Sequence, residues 1–429
     1  MILCITVLKT FAQNGDSLLQ QATLQNCVQY ALQHQPLVQQ SLIDEQITEA
    51  TIKSKLADWY PQLNFDYSLQ HNFQLQTTVF AGNTVKIGVD NTSAAQFNAT
   101  QNIFNRDALL ASRTASEVRK YAKQNTGNNK ITISVNVSKA FYDVLATMQQ
   151  IKVADEDINR IEKSLKDAYN QYKVGVTDKT DYKRATITLN NTKATKKSNE
   201  EALKARVEYL KSLMGYPVAS ELNIIYDSLQ MENEIALDTL QTYDYSKRIE
   251  YQLLTTQKKL QEANVRYNKW SYLPTLSAYG AYNLNFQNNS FGKLYSNSYP
   301  NSYAGLTLSW PIFQGFKRTW NTRQAELQVK RVDWDIVNFK NSVNAEYNQA
   351  LAAYKSNLAF YEALKENVAL AQEVYDVIQL QYRSGVKTYL EVIVAESDLR
   401  NTQVNYLNAL YQVLISKLYV QKAAGTLIY

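Results

Sequence analysis

The 429-residue sequence is short of cysteine (2), histidine (2), proline (6) and glycine (12), and each shortage excludes something. His34 and His71, the only histidines, fall on different expected elements, a helix and a strand. No zinc-type Cys spacing, phosphate loop or nucleophile elbow accompanies them, so no metal, no cofactor and no enzymatic activity are expected. Cys4 lies in MILCITVLKTFAQNGDS, an apolar start that ends at the small residue Ala12. That start reads as a secretory signal over residues 1–12, and Leu3 in front of Cys4 argues against lipid modification of this thiol. With the signal removed, Cys27 stands alone and no disulfide can form within the chain. No apolar run reaches the roughly 18 residues that a spanning helix needs. A chain of this kind that crosses a membrane has to do so with β-strands in a closed barrel. The net charge of +6 is scattered, and its densest basic run, Lys193 to Lys197, lies in a helical pattern. Without a basic arm or stacking platform, nucleic acid is not an expected partner.

What is present is a long-range echo. QYKVGV begins at Gln171 and QYRSGV at Gln381, 210 residues later. At the same offset Ala185 meets Ala395, Leu189 meets Leu399, Asn191–Thr192 meets Asn401–Thr402, Tyr209 meets Tyr419, and Gly215 meets Gly425. The period is too long for a solenoid and points to two copies of one large unit.

Each copy changes its hydrophobic period in the same order. Leu24 to Trp59 reads as two helices joined at Pro36. In PQLNFDYSLQHNFQLQ, Leu63, Phe65, Tyr67, Leu69, Phe73 and Leu75 alternate with polar residues, the period-two mark of a strand with one apolar face. Phe97, Ala99 and Ile103 continue as a second strand, with Gly82 and Gly88 in the connecting loop. From about Asp107 to Tyr172 the spacing becomes helical through Phe141, Val144, Met148, Ile151, Ile158, Leu165, Tyr169 and Tyr172. Gly127 is a candidate kink. Gly175 ends this helix, and a second runs to Met214. After an irregular stretch to about Leu240 and a helix to about Trp270, the program repeats. Leu276, Ala278, Tyr282, Leu284 and Phe286 alternate with Ser277, Asn283, Asn285 and Gln287. The loop FGKLYSNSYPNSY leads to a strand carrying Leu306, Leu308 and Trp310. Residues 316–384 contain neither Gly nor Pro, and as one helix they would span on the order of 100 Å. Gly385 ends it, and a last helix runs to Ala424. The two echoes are therefore expected at hairpin tips, near 175 and 385, where long helices reverse.

Four strands with an apolar face cannot close a transmembrane barrel, whose minimum is about eight. The chain has to pool strands with copies of itself. Strand pairs over about 62–104 and 275–312, very long helices, tandem repeats, the tip glycines, the PIF motif at Pro311 and the terminal KAAGTL resemble the TolC-type outer-membrane efflux channel family over about Leu24 to Leu427. The resemblance implies a mainly α fold with a membrane β-barrel portion. A homotrimer would share a 12-stranded barrel and a coiled-coil α-barrel of 12 helices, in the outer membrane and the periplasm respectively. It divides the chain into a first repeat, 13–217, an equatorial segment, 218–240, and a second repeat, 241–429. It implies an exit duct of a tripartite efflux or type I secretion system, partnered by a periplasmic adaptor, an inner-membrane pump of RND or ABC type, and lipid. Without it, the helices alone also suit an envelope-associated structural or adhesive coiled-coil protein that conducts nothing.

The same resemblance nominates the sites. Asp181 and Glu391 each lie six residues after a tip glycine, and would form an acidic ring at the periplasmic gate. Helix-start acids are also favoured simply by the macrodipole. Tyr382 and Lys387 match positions that bridge neighbouring helices in the closed state. Val394 stands where a second gate acid is usual, and Lys173 where the acid partner of the bridge is usual. Val174, Gly175, Val176, Ser384, Gly385 and Val386 would receive the adaptor. Tyr60, Tyr67, Tyr272 and Tyr282 suit an interfacial aromatic girdle.

Overall fold

The computed structural model describes residues 18–225, 228–238 and 244–427; the expected signal, with Cys4 and Ala12, and Leu240 lie outside them. In chain order the elements are α1 (Leu24–His34), α2 (Pro36–Leu56), β1 (Gln62–His71), β2 (Gln76–Phe80), β3 (Asn83–Ile87), β4 (Asn91–Phe104), α3 (Arg106–Lys173), α4 (Lys179–Met214), α5 (Ser228–Glu234), α6 (Ile249–Trp270), β5 (Thr275–Asn288), β6 (Ser298–Ser309), α7 (Lys317–Arg383) and α8 (Tyr389–Ala424). Two compact units draw on both halves of the chain: residues 43–124 with 252–338, and residues up to 42 with 125–251 and 339 onward.

The first of these units holds an antiparallel sheet in the order β1-β4-β5-β6. Its register carries the alternation of the sequence across all four strands. Phe65 is opposite Phe97, which is opposite Tyr282, and Tyr67, Ala95 and Leu284 form the next row. Leu276 and Ala278 face Leu308 and Leu306 on the same side. The Phe65 and Phe97 rings meet at 4.9 Å. This apolar face is bare in the protomer, with Leu63 80% and Leu306 68% exposed. The opposite face is joined by amides: Asn98 donates to Asp66 at 2.8 Å, and Asn283 to Asn301 at 2.9 Å. Pro300 lies in β6, an edge strand, where a missing N–H is tolerated. Around the sheet's end, charge and ring contacts tie the helical segments of the unit together. Arg119 grips Glu49 at 2.6 Å, Lys258 reaches Asp333 at 2.7 Å, and the Arg106 guanidinium lies 4.4 Å from the Tyr267 ring.

The second unit is helical. Phe141, Leu145, Leu210, Met214, Tyr354, Leu410 and Leu414 are buried at its core. Thr23 caps α1 by accepting from the Asn26 amide, and Pro36 occupies the first position of α2, where its missing N–H does no harm. Cys27 is fully buried, and burial pushes its thiol up to about 12, leaving it inert. The segment between the repeats is clipped in place. Ala22 pairs with Ile224, Lys365 and the Tyr406 hydroxyl both reach Glu232, and Tyr354 donates to the Ile235 carbonyl at 2.9 Å.

Several sequence expectations need correction. The loop with Gly82 and Gly88 contains a hairpin, β2–β3, and β1 ends at His71, before Phe73 and Leu75. Ala81 (φ 50°) and Gly82 (φ 86°) make its two-residue turn, both in the left-handed region that such a turn demands. β6 begins at Ser298, inside the expected loop. Ile103 is the extra residue of a bulge, because Asn102 pairs with Ser277 and Phe104 with Leu276. Gly127 does not break α3, which runs for 68 residues. The expected Phe141 and Val144 of α3 are buried, but toward its C-terminal end the buried seam is Ala154, Asp157, Ile161, Ser164 and Ala168, one position before Ile158, Leu165 and Tyr169 of the expected pattern.

The four repeat glycines close four helices in one way. Gly175, Gly215, Gly385 and Gly425 all have φ between 68° and 77°. The amide after each reaches back five residues: Val176 to Gln171, Tyr216 to Lys211, Val386 to Gln381 and Thr426 to Gln421. This is the Schellman ending, which needs a left-handed residue. At Gly215 a Cβ would also lie 2.8 Å from the His34 carbonyl, whereas at Gly175 it would meet nothing within 4 Å. Gly175→Ala should therefore cost only the backbone strain, about 1 kcal/mol, and Gly215→Ala clearly more. Thermal unfolding of the two variants side by side checks this, and equal losses would show that the α1–α4 contact yields.

Candidate functional site at the hairpin tips

The tips are helix endings followed at once by helix starts. At the first, Gly175 N donates to Tyr172 O at 3.0 Å and Val176 N to Gln171 O at 2.9 Å; at the second, Gly385 and Val386 repeat both bonds at the same lengths. Turning inward to satisfy those carbonyls leaves the flanking side chains outside. Val174, Val176 and Val386 are 72–75% exposed, and Ser384 is exposed beside them.

The helix starts differ between repeats. Asp178 caps α4 by accepting from the Thr180 amide at 3.0 Å. Thr388 holds the equivalent position before α8, and there Glu391 closes a capping box. The Glu391 carboxylate accepts from the Thr388 amide at 2.9 Å and from Lys387 Nζ at 2.6 Å. The lysine contact, followed by the cap bonds, holds this carboxyl down at about 2. Asp181 is partly buried, and burial raises its carboxyl, with Arg184 opposing and Asp178 adding to the shift. The equivalent acids of the echo are therefore unlike: one is a fixed anion paired with its neighbour, the other a partly desolvated acid.

Tyr382 and Lys387 are not brought together. Lys387 pairs within its own helix start, while Tyr382 is 5% exposed inside the hairpins. Its ring packs 5.5 Å from Tyr389 in a cluster with Ala168, Ala185, Tyr375, Val392 and Leu399. Its hydroxyl is buried with no hydrogen-bond partner among the described residues. Burial, with the charges of Asp181 and Asp167 added, pushes that phenol up to about 12. A link between hairpins that the sequence did not announce runs from Arg383 to Asp167, at 3.8 Å. Sequence reading also missed the buried polar residues Asp157 and Glu396; their 3–4 spacing with Ile161 and Leu399 was the available signal.

An open sheet with a bare apolar face, carried on the same chain as two tandem helical hairpins, defines a protein built to place strands in a membrane and helices beside it. The chain belongs to the outer membrane efflux protein family, whose model matches residues 27–216 and 254–426. It is 22% identical to the outer membrane protein TolC of Escherichia coli K12, across 99% of this chain and 86% of that one. It is 20% identical to the proteases secretion protein PrtF of Dickeya chrysanthemi, across 86% and 80%. Its fold superposes on the open-state outer membrane channel MtrE of Neisseria gonorrhoeae with a TM-score of 0.76 at 17% identity, covering 94% of this chain and 88% of that one.

A hydroxyl buried without a partner contributes nothing that a phenyl ring would not. Tyr382→Phe should melt at or above the wild-type temperature, and Tyr382→Ala should lose about 3–5 kcal/mol of packing. A Phe variant that melts well below wild type would show that the hydroxyl is bonded in the assembled protein.

Proposed function

We propose that three copies of this chain form a passive exit duct through the outer membrane, serving a tripartite efflux or type I secretion system. The observation that carries this reading is the apolar sheet face on four strands whose edges, β1 and β6, have no partner among the described residues of the protomer. Lipid leaves no water to satisfy a strand edge, so such a sheet must close. Three copies supply twelve strands, above the minimum of about eight. The apolar face then meets lipid, the amide face lines the lumen, and Tyr60, Tyr67, Tyr272 and Tyr282, all exposed, suit the interfaces. The paired hairpins α3–α4 and α7–α8 supply twelve helices to a periplasmic tunnel.

In this reading Asp181 and Glu391 ring the periplasmic mouth and attract cations, and Lys387 tempers the Glu391 charge that it contacts. Tyr382 contributes to the gate as packing rather than as a bridge. The tips, Val174 to Val176 and Ser384 to Val386, receive a periplasmic adaptor, which links the duct to an inner-membrane pump. The bare turns at both tips support docking, since nothing stands within 4 Å of where a Cβ would be on Gly175 or Gly385.

Purified protein reconstituted in planar bilayers tests the duct: a trimer that conducts supports it, and a non-conducting particle returns the chain to a structural or adhesive role. Leu284→Lys places a charge on the lipid face, at about 2–4 kcal/mol near mid-depth. It should therefore lower the yield of membrane-inserted trimer far more than Ser68→Lys on the other face. Equal yields would overturn the assignment of faces. Val176→Asp with Val386→Asp keeps both glycine turns and should leave a folded, inserted trimer that no longer captures adaptor, because docking would bury unpaired charge. Wild-type capture of adaptor by the double variant would remove the tips as the docking site.

A further inference from the structure

Glu396, on α8, is 1% exposed, a carboxyl enclosed among helices. Titratable groups face it from three of them: Asp157 and Arg160 on α3, Tyr375 on α7, and Tyr389 and Arg400 on α8 itself. Thr192 of α4 closes the cluster through a contact with Asp157 at 3.5 Å. The guanidiniums are bonded to Asp157 rather than to Glu396, and Arg160 Nε is itself buried with no hydrogen-bond partner among the described residues. Arg160 reaches Asp157 at 3.3 Å and Arg400 reaches it at 3.2 Å, and the second Arg400 nitrogen goes to Ser397 at 3.2 Å. Asp157, whose side chain is wholly buried, is thus satisfied. Glu396 is not: its Oε1 is buried with no hydrogen-bond partner among the described residues. Both guanidiniums keep contact with solvent, with side chains 19% and 29% exposed, so their pull on Glu396 is screened while the carboxyl itself is dry. A cavity of ≈ 330 Å³, walled in part by Thr192 and Arg400, lies beside the cluster and gives water and protons a way to its edge.

We propose that Glu396 is a proton-operated latch of the hairpins, closed when its carboxyl is neutral and loosened when it ionises. Neutral, it can lie dry between α3 and α7. Ionised, it is a second buried anion next to Asp157, drawing on guanidiniums that Asp157 already holds, and it is relieved if α8 shifts or water enters. The latch lies in the hairpins that carry the tips, next to Tyr375, Tyr389 and Leu399 of the tyrosine cluster. Burial, with the Asp157 charge added, pushes the carboxyl from 4.5 up to about 7. The sign follows. Between about 4.5 and about 7 the unfolded chain gives up this proton and the folded chain keeps it, so folding stability falls as pH rises through that window and levels off above it. This window is separate from that of Glu391, whose depressed carboxyl contributes stability that is lost only as pH falls from 4.5 toward 2.

The consequence for conduction rests on the exit-duct reading: loosened hairpins open more readily, so the duct should open more often above neutral pH. The stability arm of the test does not depend on that reading. Full-length protein, wild type and Glu396→Gln, is melted from about pH 5 to about pH 8.5, and each pH unit within the window shifts the packed-to-loosened ratio by up to tenfold. The wild-type midpoint should fall from about pH 5 to about pH 7 and level off above it, while the glutamine variant, neutral at every pH, stays level. Parallel profiles would overturn the latch. Should the variant fail to fold, infrared spectra of the wild type decide: a protonated carboxylic acid band that fades between about pH 6 and 8 supports the latch, and its absence at pH 6 overturns it. In planar bilayers, wild-type opening should rise several-fold across the same range and the Glu396→Gln channel should not respond. Conduction that ignores pH in both would overturn gating by Glu396. Protein that melts as expected yet conducts at no pH keeps the latch and removes the duct.

Discussion

A helix that must reverse within a few residues needs one residue in the left-handed region, and the rest of this chain is arranged around that demand. The bond from each Val or Thr or Tyr amide back over five residues satisfies carbonyls that would otherwise end a long helix unpaired. Glycine meets the demand without strain, and the chain places it at the same point in both repeats. Because the endings are matched, the outgoing helices start with the same spacing and the hairpins of the two halves come out alike. Their outer surfaces do not have to match, and they do not: the two helix starts use different caps and hold different charge states.

Much of this was legible beforehand. α7 announced itself by the absence of Gly and Pro from 316 to 384, and α8 by the distance from Gly385 to Gly425. The strands β1 and β5 were legible because apolar and polar side chains alternate along most of their length. What escaped were features decided by pairing rather than by period. The β2–β3 hairpin has short strands of mixed polarity, so its signal was the Ala81–Gly82 turn and not any alternation. The Ile103 bulge depends on the partner strand, β5. Pro300 inside β6 runs against the usual reading of proline and is permitted only by an edge. The seam of α3 was placed correctly at Phe141 and Val144 but was one residue off in its C-terminal part, where size was taken as the mark of burial. Helices that approach closely bury the small residues, Ala154, Ser164 and Ala168, and leave Tyr169 flanking, 48% exposed.

The candidate site was legible as a location more than as chemistry. Position in the echo was enough to find Gly175, Gly385, Asp181 and Glu391. It could not show that Glu391 is spent on a capping box, because that depends on Thr388 replacing Asp178 as cap and on Lys387 lying one turn away. Nor could it show that Tyr382 points inward. Glu396, a carboxyl buried within the hairpins and pushed up by that burial, stands in a stretch of sequence with no motif at all. Its spacing to Leu399 marks the buried side of α8, and the packing of α3, α7 and α8 shows the carboxyl enclosed there.

The amide face of the sheet has a consequence of its own. Asn283 donates to Asn301 and Asn98 to Asp66, so the rows are amides apart from this one acid. A wall of that kind carries few fixed charges and exerts a weak long-range field. A passenger of either sign would drift along it without being drawn aside or held, much as along a wetted, uncharged tube. Whatever discrimination such a conduit exercises has to be imposed at its entrance and by the machinery that feeds it.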